Sequence, residues 1–403
     1  ELTHRALANG TESNTPVIRL MSSPVSRLDG GASLADALHM MKQHQRDFLL
    51  VEVPGENPGM LAHADLALHQ EHKMDMLLME IERAEGSWRL RQLYARLPVL
   101  VSRLLESGIQ TRVLSRLISR VADAIHLRII HLCLEEMGEP PCGFAFMVMG
   151  SQGRNEQSLA TDQDNAIIIE TSMKDLDQKQ VGWFLELGKA VNGQLAEVGY
   201  ERCKGDVMAG NPQWNTGLNE WKEKFNTWFR ESDPQAVLDT SIFFDFRFIH
   251  GDPRLVEALR EHVHQSTERT GVFFYHMAHS VQKMKLPATN TGFDVKQLLL
   301  PLQAYARVHA LQEGISASST HERAEALLGM GCIERSSYEE ITGNLEFLSY
   351  LRIKFQVRSV LRGEKPGNVL DPELLTASEK YMLKLTHRQV QGLQSLLAAG
   401  FTH

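Results

Sequence analysis

Apolar and polar positions recur along this chain with two different periods, and the points where the period changes mark its elements. Phe144 to Met149 is a short, wholly apolar run (Phe-Ala-Phe-Met-Val-Met) that predicts a buried strand. Ala166-Ile167-Ile168-Ile169 is a second, β-branched run, and the strand it predicts begins at Asp162. Gly150-Ser151-Gln152-Gly153 follows the first run, and the polar stretch Arg154-Asn155-Glu156-Gln157-Ser158 is expected to open a short helix. Residues 71–138 carry apolar positions at helical spacing, divided by Pro98 and Gly108 into at least two helices, with a Met-rich start suited to core or interface packing. Residues 176–198 repeat the helical pattern up to Gly199, and Tyr200 to Met208 supplies a third strand. Ala236 to Ile249 reads as a buried helix in which Asp245 and Arg247 pair. After the boundary signal His250-Gly251-Asp252-Pro253 the chain is again mostly helical, with a helix start at Thr320 and a break at Pro366-Gly367-Asn368.

The first 70 residues have a different rhythm. Pro16 to Met21 leads to an amphipathic helix over Ser33–Met41 with Ser33 as its N-cap. A strand at Phe48–Val53, a turn at Gly55–Gly59 and the segment Met60 to Leu66 complete a small module.

Candidate chemistry sits where the two buried strands meet. Residues i and i+2 of a strand share a face, so Asp162 and Asp164 aim together while Gln163 points away. Two carboxylates held this close repel, and a divalent cation removes that cost. Mg²⁺, or Mn²⁺ in its place, takes one or two carboxylates and completes its shell with water and substrate phosphates. Gly150 lets a phosphate approach the backbone without a Cβ in the way, and Ser151 offers a hydroxyl and an amide. Arg154 either adds charge to that phosphate site or pairs with Glu156 to order the loop. Lys204 is placed to reach a triphosphate, and Asp294, Lys296, Arg307, Arg352 and Arg358 sit on amphipathic helices that are candidates to face the cleft, a structural ion pair or solvated face being the plainer expectation for each. The scattered histidines show no metal-ligand spacing.

The run from Met149 through Arg154, Glu156, Gln157 and Asp162-Gln163-Asp164 to Ala166 resembles the signature of bacterial nucleotidyltransferases found beside CBS domains, relatives of the uridylyltransferases that modify the PII signalling protein. Gly205-Asp206-Val207-Met208-Ala209 with Asn211-Pro212 and Trp214, Phe243 to Arg247 with Gly251-Asp252, Phe293 to Lys296, and Ala306-Arg307 extend the resemblance over nearly the whole chain. It implies a helix-rich α+β chain: a CBS motif over 1–72, a helical connector over 73–138, a polymerase-β-like nucleotidyltransferase domain with a small mixed sheet over 139–250, and a helical substrate-binding domain over 251–403. Its implied activity is transfer of a nucleoside monophosphate from a nucleoside triphosphate to an acceptor hydroxyl, with a protein hydroxyl such as that of a tyrosine as acceptor. Gly150, Ser151, Gly153, Arg154, Glu156, Gln157 and Lys204 would hold the nucleotide. Such folds place a third carboxylate on the strand after Asp-x-Asp. Asp206 holds that topological position, with Asp245 as its rival. In CBS motifs that hold ribose, Thr or Ser often stands three residues before an Asp, and here Ala62 precedes Asp65. One copy implies a partner copy, upstream or on another chain; paired modules and the Met-rich helix imply a homodimer, with an adenosyl compound as the class of ligand.

Composition narrows the picture. The formal net charge of −8 over 403 residues argues against a general nucleic-acid surface. No apolar run approaches the ~20 residues that span a bilayer. Cys133, Cys142, Cys203 and Cys332 are scattered without a Cys-x-x-Cys pair, which fits a reducing cytoplasm and no cysteine zinc site. The chain opens at Glu1 without methionine, as an internal fragment would. The competing reading is a non-catalytic nucleotide sensor whose output is a partner interaction. Two converging carboxylates favour the enzyme.

Overall fold

The computed structural model describes residues 25–401 apart from 33, 45, 56, 231–239 and 268–270, together with 15, 16 and 19. The expected cap at Ser33, most of the run from Pro16 to Met21 and the start of the run from Ala236 lie outside the described residues. The chain divides into two compact units, one of residues 1–73 with 106–108 and one of residues 74–105 with 109–403.

In the first unit, strand β1 (Arg27–Asp29) runs parallel to β2 (Phe48–Glu52), and the helix α1 (Leu34–His44) connects them. β3 (Gly59–Ala62) returns antiparallel to β2. Parallel strands need such a crossover, which explains why one helix stands between two short apolar runs. Among the described residues, Leu28, Ala37, Met41 and Leu49 form its buried core. A helix α2 (His63–Glu82) follows.

The second unit is built on a four-stranded sheet. β4 (Phe144–Val148) lies antiparallel to β6 (Asn165–Ile169) on one side and to β9 (Arg247–Gly251) on the other, and β8 (Asn215–Gly217) runs parallel to β6. Every residue of β4 and β6 is buried, as the unbroken apolar runs require. The period of two then divides them between two cores. Ala145, Met147, Ala166 and Ile168 face Trp221, Phe225 and the C-terminal helices. Phe144, Phe146, Val148, Ile167 and Ile169 face the helices α3 (Ser87–Tyr94), α4 (Leu97–Glu106), α5 (Thr111–Met137) and the later Gln178–Val198. The connector read from the sequence is thus one wall of the sheet's packing, with helix layers on both faces.

Three local expectations change. The short helix, α6, covers Gly150–Gly153 rather than the polar stretch after it, because Arg154 to Ser158 is tied down by side-chain bonds instead of helical ones. The run from Tyr200 keeps only two strand residues, β7 (Glu201–Arg202), which pair in parallel with β5 (Asp162–Gln163) outside the four-stranded sheet. The described part of the run from Ala236 is a 3-10 turn, Thr240–Phe244, leading into β9. Arg247 there pairs with Asp123, not with Asp245. Apolar content alone does not separate a buried helix from a turn-and-strand segment.

The helix α7 (Gln178–Val198) starts on a capping box of Asp177 and Gln180 and ends at Gly199, whose φ of 127° suits glycine. Beyond α8 (Leu218–Arg230) and α9 (Pro253–Thr267), the C-terminal bundle comprises α10 (Gly271–Lys283), α11 (Lys296–Gln312), α12 (Thr320–Gly329), α13 (Arg335–Leu361) and α14 (Ala377–Gly400). Among the described residues, no helix is long and apolar enough to cross a membrane.

Candidate active site

Asp162 and Asp164 converge, although the single strand expected from Asp162 is broken: Asp162 belongs to β5, β6 begins at Asn165, and Asp164 stands between them. Ligand atoms of Asp162, Asp164 and Cys203 all lie within 4.8 Å of one another. Gln163 turns the other way and is fully buried, donating to the carbonyls of Asn192 and Tyr200. The cysteine arrives by register: β7 pairs Glu201 with Asp162 and Arg202 with Gln163, so the next residue, Cys203, comes beside Asp164. No spacing in the sequence signals it, because the two segments meet only through strand pairing.

The electrostatics of the pair are unbalanced. Burial, and after it the charge of Asp162, pushes the Asp164 carboxyl up to about 6. Asp164 Oδ1 is buried with no hydrogen-bond partner among the described residues. Burial and then Asp164 raise the Cys203 thiol to about 12, so the thiol stays protonated near neutral pH and donates to Asp164. Two hard carboxylates with an unsatisfied oxygen fit a cation such as Mg²⁺ or Mn²⁺, whereas a protonated thiol is not a ligand for one.

Gly150 has φ of 60°, and a Cβ there would stand 2.9 Å from Asp164 Oδ2. Glycine therefore serves both the turn and the approach to the carboxylate. Met149 N donates to Asp164 O at 2.9 Å, which fixes the turn against the pair. Ser151 is partly exposed. Asp162 lines a cleft of about 560 Å³ whose walls include Tyr94, Leu97, Leu159, Lys204, Asp294, Lys296, Lys365 and Asn368. This volume is in the usual range for a small-molecule site. The approach to Asp162 is held from α13: Gln356 Oε1 accepts from Leu159 N at 2.9 Å, and Arg352 donates to Asn368 Oδ1 at 2.7 Å and Ala160 O at 3.3 Å.

Several expected site residues are spent elsewhere. Arg154 is buried, with Nε on Glu156 at 2.9 Å and Nη1 on Asp245 at 2.6 Å. Of the two roles open to Arg154, ordering the loop is the one observed. Glu156 also accepts from Gln303 and from Thr320 N. Gln157 is buried against Ser119, Gln152 and Thr161. Neither Glu156 nor Gln157 lines the cleft beside Asp162.

Asp206 is also displaced from the expectation. The chain turns after β7, Asp206 takes φ of 53° on the exposed turn, and its carboxylate accepts from Asn211 Nδ2 at 2.8 Å. It does not join the cluster of Asp162, Asp164 and Cys203. Asp245 is fully buried beneath Arg154, Arg307 and Arg323, at 2.5–3.0 Å from each. Arg307 thus belongs to a structural ion cluster, and Arg358 lies exposed on its helix. Residues with no sequence signal hold the loop after β7: Asn165 Oδ1 accepts from Ala209 N, and Asn192 Oδ1 accepts from Gly210 N.

Gly153 meets a different limit. A Cβ there would sit 1.8 Å from the carbonyl oxygen of Asp245. Backbone cannot yield as a flexible side chain can, so Gly153→Ala is expected to cost about 1–3 kcal/mol. Thermal melting should read this as a fall of several degrees in Tm, and an unchanged Tm would show that the loop does not pack on Asp245.

No curated protein matches the chain. Residues 95–235 match the family model described as "Putative nucleotidyltransferase DUF294", and residues 271–401 match "Putative nucleotidyltransferase substrate binding domain". The first match surrounds the carboxylate pair and the second falls on the C-terminal bundle, in the order of a putative nucleotidyltransferase domain and its substrate-binding domain.

Proposed function

We propose that this chain is a divalent-cation-dependent nucleotidyltransferase that moves a nucleoside monophosphate from a nucleoside triphosphate to an acceptor hydroxyl. The observation that carries the reading is the buried, unpartnered Asp164 oxygen beside Asp162 at the edge of a ligand-sized cleft. Such a pair is costly unless a bound cation compensates it. Asp162 and Asp164 hold Mg²⁺ or Mn²⁺, and when bound this ion neutralises and polarises the phosphates. We assign the cation to these two alone and leave Asp206 and Asp245 out of the ligand set.

The other roles follow from position. The amides of Gly150 and Ser151 and the Ser151 hydroxyl take the β- and γ-phosphates, where the missing Cβ leaves room. Lys204 in the cleft wall adds positive charge to the same polyphosphate. The acceptor oxygen attacks the α-phosphorus, the bond to the bridging oxygen breaks, pyrophosphate leaves, and the acceptor gives up its proton. Arg154, Glu156 and Gln157 order the loop without touching the nucleotide.

The acceptor in this reading is a protein hydroxyl, as the resemblance to the PII-modifying enzymes suggests. The strand–helix–strand–strand module of the first unit is a CBS motif that pairs with a second copy in a homodimer and sets the activity. The test is incubation with each of four α-labelled nucleoside triphosphates, Mg²⁺ and cell extract. Label on a protein, lost on adding a chelator, is the expected result. Saturable nucleotide binding with no transfer under every condition would replace the enzyme with a sensor.

A further inference from the structure

Lys296 begins α11, in the substrate-binding domain, and lines the same cleft as Asp162. Its backbone is fixed: Lys296 N donates to Asp294 Oδ1 at 2.8 Å, and the preceding Val295 N donates to Asn368 O at 3.0 Å. Its side chain is half-buried, yet no carboxylate among the described residues lies within ion-pair distance of its ammonium. The groups that act on it electrostatically are Arg352, which opposes its charge, and Asp162, Asp164 and Asp294, which favour it. Desolvating an ammonium without a partner is unfavourable, and burial with Arg352 lowers its pKa.

Two unsatisfied groups of opposite sign therefore belong to one site. On one side is the carboxylate pair with its unpartnered oxygen, and on the other is an ammonium that makes no ion pair with it. Buried ionic groups are normally paired, so the space between these calls for something that satisfies both. A phosphate carried on a cation does so: the cation meets the carboxylates, and a non-bridging phosphate oxygen meets the lysine. We infer that Lys296 is a phosphate-binding residue of the nucleotide site, supplied by the helical domain to the phosphate group that the carboxylate-bound cation holds.

This inference rests on the nucleotidyltransferase reading and adds a residue from the second domain to it. It also defines the substrate class more closely: affinity must depend on phosphate as well as on the nucleoside. The experiment measures equilibrium binding of non-hydrolysable analogues of the four nucleoside triphosphates, with Mg²⁺, to the full chain and to Lys296→Gln, Lys296→Met and Lys296→Arg. The corresponding unphosphorylated nucleosides are run beside them. A hydrogen bond to a charged group predicts a loss of about 10- to 100-fold in triphosphate affinity for the Gln and Met variants. Partial recovery in Lys296→Arg and unchanged nucleoside binding are expected. Wild-type affinity for triphosphate in both neutral variants overturns the inference while leaving the transferase reading intact. If the wild-type chain binds none of the four triphosphates, both fall. Equal losses for nucleoside and triphosphate in all three variants, with a lowered Tm, would make Lys296 a structural residue and overturn the inference as well.

Discussion

Replacing Asp245 with Asn is expected to destabilise the larger unit by about 3–5 kcal/mol, the typical cost of removing one partner from a buried ion pair. Asp245 is fully buried, and three guanidiniums converge on its carboxylate. Arg154 retains Glu156 in the variant, whereas Arg323 keeps only the carbonyls of Ala317 and Phe244. An amide also turns one of its two ends into a donor facing donors. Against a total stability of about 5–15 kcal/mol, this loss takes a large share. The pH dependence carries a definite sign. Although burial alone would raise the Asp245 carboxyl, Arg307, Arg323 and Arg154 hold it well below the usual carboxylate range. Its contribution is therefore fully present above the unfolded carboxylate value of about 4 and is lost only as pH falls through the depressed folded value. Urea unfolding at pH 7 should show the full difference between wild type and Asp245→Asn, and the two should converge only below about pH 4. A difference under about 0.5 kcal/mol at pH 7 would mean that the arginines find other partners.

That cluster also marks the limit of reading this sequence. The strands around the site were legible because their signal is local, in unbroken apolar runs for β4 and β6, whereas the break at Asp164 between β5 and β6 was not. Gly150 was legible as a turn glycine, but the Asp164 oxygen that a Cβ would meet there was not. The role of Asp245 was not, because its partners stand 62, 78 and 91 residues away in sequence. The nearby Arg247 offered a local pairing that the fold does not use. Cys203 was hidden in the same way, by a two-residue strand pairing that no periodicity announces. Lys296 could be named as a candidate, but its place in the cleft wall with Asp162 separates it from Arg358, which is exposed.

Asp162→Asn and Asp164→Asn should each lower label transfer by on the order of 10³-fold or more, about 4 kcal/mol of lost transition-state stabilisation. Asparagine keeps the shape of each side chain and removes the charge that holds the cation. The same change should move stability in the opposite direction for Asp164. Its carboxyl goes from the ordinary 3.8 to about 6 in the folded chain. A raised acid contributes stability that is present below the unfolded value and lost as pH rises through the folded one, so at pH 8 the ionised pair weighs against folding. At 1.36 kcal/mol per pKa unit the ceiling is about 3 kcal/mol, and Asp162 shares part of it. In the absence of divalent cation, Asp164→Asn should accordingly match or exceed the wild-type Tm at pH 8, with the advantage disappearing near pH 5. Adding Mg²⁺ should raise the Tm of the wild type by mass action and leave that of the variant unmoved. A variant that is both inactive and less stable at pH 8, with no Mg²⁺ response in the wild type, would identify the pair as packing. The combination of lost transfer with retained or improved stability is expected of a site whose strain is relieved by its ligand.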